Sequence, residues 1–541
     1  MGVNPRLVLA RLRRLAGEHK LFTGALAVGA LLRLVTSIGY PGALWFAGDS
    51  YVYVGAALRP EPNLSKATGY SFFLRLLLPF HSFTLVTGVQ HVMGLLIAVM
   101  IYVLLRRNGV SKTWSAIATL PQLLDGYIIE DEHLVMAETV FTFLTMIALL
   151  MLLWRPRTRW WTAVVAGLLV GAASVVRTEG EVMLAVLPLF LLLRGWSWKT
   201  LRGWGIAIAF TAGALIPYGA YAGWFQARYS SYNAPIYSTT MSTGFYLWGR
   251  VSSFANCAVI KPTGDEALVC PTQPIVDRDP PGNYIWHAPY VHQDMDSLGG
   301  PVSPEGNKVL TSFAIKAVEA QPLDYVKTVV KDTLLSFGFP RIGYPGSGTT
   351  YYYSFHLHFT GTDAATGKPI SLLPPSNHAW VSPLVTPKDS AYDDWLNYGH
   401  QAPGVVHKIF AAPIALYQRV VFTYGPLLAV IFLLGLGGLF SVTARRRGTG
   451  IRSVLSVRTL LSLRLHWRPR GTTMLPWVTA VALLVTPIAV ADFDYRYLIP
   501  VIPFAALAAG LAFAPRRPAA AKPSAPAAPA DVESTVPDQV G

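Results

Sequence analysis

Charge is what this sequence has least of. Of its 541 residues only 13% are Asp, Glu, Lys or Arg, against 52% hydrophobic, too little to clothe a soluble protein of that length, so an ordinary soluble enzyme is excluded. Cysteine is scarcer still, with two in the chain, which excludes a disulfide-built scaffold and cysteine-rich zinc modules. No Walker loop, dinucleotide fingerprint, serine elbow or paired Cys-x-x-Cys is present. Acidic residues are the minority, 29 against 44 Lys and Arg, for a formal charge of +15. Such an excess can mean nucleic acid, so where the charges lie decides what they mean.

What is abundant is apolar sequence in long runs. A bilayer core of about 30 Å needs roughly 20 apolar helical residues, and ten stretches qualify as spans: 21–39, 84–105, 112–129, 134–154, 160–176, 182–195, 203–224, 413–441, 473–491 and 497–514. The first runs on to Tyr40-Pro41 without a small-residue cleavage site and reads as an anchor, not a removable signal peptide. Every other connection is basic: Arg6 to Lys20, Arg106/Arg107/Lys112, Arg155/Arg157/Arg159, Arg194/Lys199/Arg202, the run Arg445 to Arg470, and Arg516/Arg517/Lys522 hold 25 of the 44 Lys and Arg. By the positive-inside rule that side is the cytoplasm, which puts both termini inside a plasma-membrane protein and turns the basic excess into an orientation signal, with no nucleic-acid partner. The fold class is an all-α polytopic membrane protein of about ten transmembrane helices with a large mixed extracytoplasmic loop domain.

That loop, 225–412, carries 12 Lys and Arg against 14 Asp and Glu. It separates an N-terminal seven-helix module (1–224) from a three-helix membrane segment (413–514) and an Ala/Pro/Ser-rich tail (515–541) read as disordered. Helical spacing through Asn307 to Phe337, broken at Pro322, predicts two packed helices. Cys257 and Cys270 both fall in the loop; a disulfide there would contribute roughly 3 kcal/mol, the alternative being two buried thiols.

Ionisable groups beside a bilayer are costly unless paired or wetted, so their placement carries the functional signal. Four clusters collect at the outer helix ends: Asp49-Ser-Tyr51-Val-Tyr53, Glu130-Asp131-Glu132-His133, Arg177-Thr-Glu179-Gly-Glu181 and Asp492-Phe-Asp494-Tyr495-Arg496-Tyr497. In the first outer loop, Gly69 to Pro79 reads as a short helix lying on the membrane with Arg75 snorkelling. A site on the outer face has no access to cytosolic nucleotide sugars, so group transfer there draws on a donor activated in the membrane, such as a lipid phosphate. Asp49 is then the candidate base, and Lys66, Arg177 and Arg496 are the candidate phosphate-facing cations. His356-Leu-His358 lacks the ligand spacing of a known metal site, and Tyr351-Tyr-Tyr353 reads as packing.

The order of Gly48-Asp49-Ser-Tyr51, Lys66-Ala-Thr-Gly69-Tyr70, Glu130-Asp131, Arg177 and Tyr495-Arg496-Tyr497-Leu-Ile-Pro500 resembles the GT-C superfamily of polyprenyl-phosphate-sugar-dependent glycosyltransferases, in the style of protein O-mannosyltransferases and the lipid A aminoarabinose transferase. The resemblance implies Asp49 as general base and Glu130 or Asp131 as a second acidic position aiding acceptor or metal binding. It implies Lys66 and Arg177, with Arg496, at the lipid phosphate, and Tyr51, Tyr70 and Tyr495 as substrate-binding aromatics. The implied partners are a polyprenyl-phosphate-sugar donor and an extracytoplasmic protein, glycan or lipid acceptor, with inversion at the anomeric carbon. A divalent cation, Mg or Mn, is the candidate cofactor. Two positions depart from the family pattern: Ser50 stands where many relatives carry Glu, and Ala67-Thr68 where Pro-Pro is usual. A transporter or flippase for a lipid-linked substrate, and a scaffold for wall assembly, are the competing readings.

Overall fold

The computed structural model describes residues 17–232, 235–286, 296–339, 341, 352–362, 369–371, 391–439 and 471–515. The basic residues Arg6 to Arg14, the run 445–470, Tyr351, and Arg516, Arg517 and Lys522 with the rest of the tail lie outside the described residues. Apolar runs satisfy their backbone groups internally only as helices, and the described chain is helical almost throughout. Its one sheet among the described residues is an antiparallel hairpin of Thr360–Thr362 and Pro369–Ser371.

Five helices are long and apolar enough to cross a membrane: Lys20–Gly39, Phe83–Arg107, Leu201–Arg228, Gly471–Val490 and Tyr495–Ala512. A sixth is added if Lys408–Val420 and Gly425–Leu439, bent by 59°, are one broken span. The expectation of ten spans is therefore met only in part, and two of its segments break for a shared reason. The 112–129 stretch splits into Lys112–Ile117, Leu120–Leu124 and Gly126–Asp131. The Asp125 carboxylate accepts from Tyr127 N (2.9 Å) at that break and from Thr423 N (2.7 Å) at the bend of the other, while Gly126 N donates to the Val421 carbonyl at 2.9 Å. Backbone groups orphaned by each break are satisfied by the other.

The next expected span, 134–154, becomes helical only at Glu138, because Leu44 and Leu134 form a parallel bridge, with Leu44 N to His133 O at 2.9 Å and Val135 N to Leu44 O at 3.1 Å. Trp160–Val176 has 17 residues, about 25 Å of helix, and Val182–Leu193 has 12. The Trp160–Val176 helix lies hard against Leu201–Arg228: a Cβ on Gly171 would run into the Ala214 carbonyl, and one on Gly213 into the Val164 carbonyl. Small residues permit that approach, as between membrane helices generally.

Behind the acidic 130–133 segment a buried polar chain locks the bundle. Arg33 grips Glu132 with two bonds of 2.7 Å, Glu132 meets His91 Nδ1 at 2.9 Å, and His91 Nε2 meets His133 Nδ1 at 3.0 Å. His133 Nε2 donates to the Tyr40 carbonyl at 2.7 Å. Burial, then the neighbouring His91, lowers the His133 pKa to about 3, so it is a neutral donor here.

Within 225–412 a second buried core forms from Phe245, Trp248, Leu310, Phe313 and Ala317. Helices Pro304–Ala320 and Pro322–Leu335 flank the expected break at Pro322. A disulfide joins Cys257 and Cys270, and Arg250 pairs with Asp332 at 2.7 Å. The Ala391–Gly399 helix is tied back to the membrane module by a two-pronged Asp394–Arg59 pair, both bonds 2.8 Å. Helix Gly69–Leu77 turns Phe72 and Leu76 outward, an apolar face suited to a lipid surface. Its Arg75 does not snorkel freely; it donates to the Ala57 carbonyl at 2.8 Å.

Candidate active site

Asp49 sits in the first turn of the Ala47–Leu58 helix, where the helix dipole favours a carboxylate. The start of that helix is stitched to the neighbouring segment by Ser50: Phe46 N donates to Ser50 Oγ at 2.8 Å, and Ser50 Oγ donates to the Val135 carbonyl at 3.0 Å. Ser50 thus holds Asp49 in position.

Lys66 arrives from the loop before Gly69. A Cβ at Gly69 would overlap the Val175 carbonyl, so only glycine lets this loop press on the end of the Trp160–Val176 helix. Thr68 N is clamped by Tyr221 Oη at 3.0 Å. Arg177 follows directly as that helix ends, in extended backbone. Arg496 is held by Asp494, which accepts from Arg496 N at 3.0 Å, and its guanidinium lies 4.4 Å from the Phe46 ring centre.

These four side chains meet on the wall of one cavity of about 330 Å³, at the small end of the roughly 300–1,000 Å³ typical of ligand pockets. Lys66 pairs with one oxygen of Asp49 and Arg496 Nη1 reaches the other at 3.0 Å. Arg177 pairs with Glu138 and Glu179, and Arg496 Nε lies 3.5 Å from Glu138. Glu138 is fully buried and ties the two arginines together from behind. Burial alone would raise the Asp49 pKa, but Lys66 and Arg496 outweigh it and hold the carboxyl well below the usual range.

Glu130 and Asp131 are also drawn close, yet neither lines the cavity. Both Glu130 oxygens are buried without a hydrogen bond, while Asp131 accepts from Thr139 at 3.2 Å. Burial and the neighbouring acids raise both pKa values far above the ordinary range. Both are pushed toward the neutral form, off the cavity wall, where the sequence reading expected catalytic carboxylates. The residues also do not fit a resident divalent cation. Asp49 and Glu179 are engaged by cations, and among the described residues no three His, Cys, Asp or Glu converge on a common point.

The three tyrosines expected at the substrate do not line this cavity. Tyr51 is buried in the main core, Tyr70 donates to Gln90 Oε1 at 2.6 Å, and Tyr495 packs on Phe493. The cavity is lined instead by Tyr53, Tyr218, Tyr237, Tyr246 and Tyr497. Residues four apart share a helix face whereas residues two apart do not, so Tyr53 and not Tyr51 accompanies Asp49. That signal was available in the spacing. So was Glu138, a lone carboxylate opening an apolar run. The hydroxyl-rich segment Ser238 to Thr243, also on the wall, had no such signal.

Among solved structures, the fold is similar to the Archaeoglobus fulgidus oligosaccharyltransferase in the apo form, with a TM-score of 0.40 and 11% identity over 91% of this chain and 50% of that one. It is likewise similar to the archaeal oligosaccharyltransferase AglB from Archaeoglobus fulgidus in complex with an inhibitory peptide and a dolichol-phosphate, with a TM-score of 0.39 and 11% identity over 90% of this chain and 50% of that one. This chain thus spans about half the length of those proteins. No protein-family model and no curated protein matches its sequence.

Proposed function

We propose that this chain is a membrane glycosyltransferase of the GT-C type, which moves a sugar from a polyprenyl phosphate to a hydroxyl-bearing acceptor on the outer face. One observation carries the reading: the Asp49 carboxylate, paired directly with Lys66 and Arg496, shares a small cavity with three cations, Lys66, Arg177 and Arg496. In the transfer, Asp49 takes the acceptor's hydroxyl proton as the acceptor oxygen bonds to the anomeric carbon. The bond from that carbon to the phosphate oxygen breaks, its electron pair leaves with the phosphate, and the three cations stabilise the charge that develops. Attack opposite the leaving group inverts the anomeric centre.

Asp49 held by two cations is a poor base. A donor phosphate competes for Lys66 and Arg496, and each contact it takes loosens their hold on Asp49 and raises its basicity. The base is thereby strengthened when the donor is in place. No step is routed through a metal.

The test is transfer by the purified protein in liposomes, with mass spectrometry of glycoproteins and wall polymers naming the acceptor. Asp49→Asn is expected to lower transfer by about 10²- to 10⁴-fold with the unfolding temperature retained. Full activity in that variant removes the base assignment. Movement of labelled lipid across the vesicle without a glycosidic product favours a transporter instead.

A further inference from the structure

The cavity wall also carries groups that are not cations. Glu181, Thr239, Thr240, Thr243 and Tyr246 line it. Three carboxylates border the cavity, and they are not equivalent. Asp49 is paired with Lys66 and Arg496, and Glu179 with Arg177, whereas Glu181 is held by neutral hydroxyls: Thr239 Oγ1 donates to Glu181 Oε1 at 2.8 Å, and the Tyr218 hydroxyl also bonds it. A carboxylate can accept about four hydrogen bonds, so Glu181 has acceptor capacity to spare, facing a wall of hydroxyls.

Glu181 and Arg177 belong to one tight turn, Thr178–Glu181 with Arg177 at its head. Ser174 Oγ donates to the Gly180 carbonyl at 2.9 Å and fastens the turn to the preceding helix. The separation between the phosphate cation and Glu181 is therefore fixed. In a glycosyl phosphate the sugar is bonded directly to the phosphate, so a ring whose phosphate meets Arg177 extends into the same small cavity.

We propose that Glu181 and Thr239 form the sugar-recognition subsite of the donor, reading neighbouring hydroxyls of a neutral sugar, with Glu181 as acceptor and Thr239 orienting its carboxylate. This rests on the lipid-phosphate-sugar reading above. A neutral sugar is favoured over an amino sugar because the wall beside Glu181 is uncharged hydroxyl, and because burial raises the Glu181 pKa and disfavours a standing negative charge there. Glu181 and Thr239 are specificity residues, distinct from the residues that hold the phosphate.

The experiment measures binding of three probes to the full-length protein in nanodiscs: bare polyprenyl phosphate, polyprenyl-phosphate-mannose and polyprenyl-phosphate-arabinose. Wild type is expected to prefer at least one sugar-loaded lipid over the bare one by about tenfold. Glu181→Ala and Thr239→Val are expected to reduce that preference to about twofold or less, with Glu181→Gln between. Binding of the bare lipid stays unchanged in all three variants, which also reports that they are folded. An undiminished sugar preference in both Glu181→Ala and Thr239→Val overturns the proposal. So does equal loss of bare-lipid binding, or tighter wild-type binding of a 4-amino-4-deoxyarabinose donor than of either neutral one. If wild type fails to bind even the bare polyprenyl phosphate, the parent reading falls and takes this one with it.

Discussion

Two acidic groups lie a short way apart in this molecule and behave in opposite ways. Asp49 is an anion, held by Lys66 and Arg496 on the wall of a cavity. Glu130, deeper and with neither oxygen hydrogen-bonded, is pushed toward its neutral form by burial and by Asp131 and Glu138. The chemistry of a carboxyl group is thus set by its partners and not by its type. In the proposed reaction the first accepts a proton from an acceptor hydroxyl; the second is pushed toward holding one. The same contrast recurs beside Arg496, where burial and Asp494 push the Asp492 carboxyl up to about 7.

The contrast can be attacked at several points. After Asp49→Asn, the largest effect is expected from Lys66→Gln, which takes one cation from Asp49 and from the developing phosphate charge together. Transfer should fall about 10²- to 10³-fold, as when a single charge-stabilising donor is lost. An effect below about threefold in steady-state kinetics would detach Lys66 from the reaction. Gly69→Val is next. Its side chain must displace the Val175 backbone or the loop carrying Lys66, and overpacking of that kind costs about 1–3 kcal/mol. A lowered unfolding temperature together with reduced transfer is the expected outcome.

A third probe uses opposite signs of pH dependence. The Asp492 pKa is raised, so the stability it contributes is complete below its ordinary value near 3.8 and drains away as pH rises through about 7. Asp49 is depressed, so its contribution is present above the ordinary carboxyl range and is lost only as pH falls below it. Unfolding temperatures measured from pH 4 to 8 should therefore decline less steeply in Asp492→Asn than in wild type, and an unchanged slope would refute the assignment. The smallest effect is expected from Glu130→Gln, which replaces an acid that burial pushes toward its neutral form by a neutral amide of the same shape. Transfer should stay within about threefold of wild type, since the removed proton carrier is not a base in the reaction. A loss as deep as that of Asp49→Asn would dissolve the distinction between the two layers.

Much of the candidate site was legible because ionisable residues in an apolar chain are few, and their positions at outer helix ends narrow the choice. Asp49, Lys66, Arg177 and Arg496 could be named as a group from order alone, and the cavity brings them together. Their partners could not all be named. Glu138 opens an apolar run, but nothing local marks it as the link between Arg177 and Arg496, which lie far from it in sequence. Glu130 and Asp131 read as acids at an outer helix end, whereas the Leu44–Leu134 bridge and the Arg33–Glu132–His91–His133 chain draw that segment inside.

Apolar periodicity and length by themselves established helices, and the prolines and glycines marked where several of them end, as at Pro322. Those signals are local, since backbone hydrogen bonds in an apolar run close within the run. Which segments are long enough to cross, which carboxyl groups keep their charge and which tyrosines reach the cavity were decided by the tertiary structure alone. Burial and ion pairing depend on residues brought together from distant parts of the chain, as Asp49 is with Arg496, and no local pattern encodes that distance.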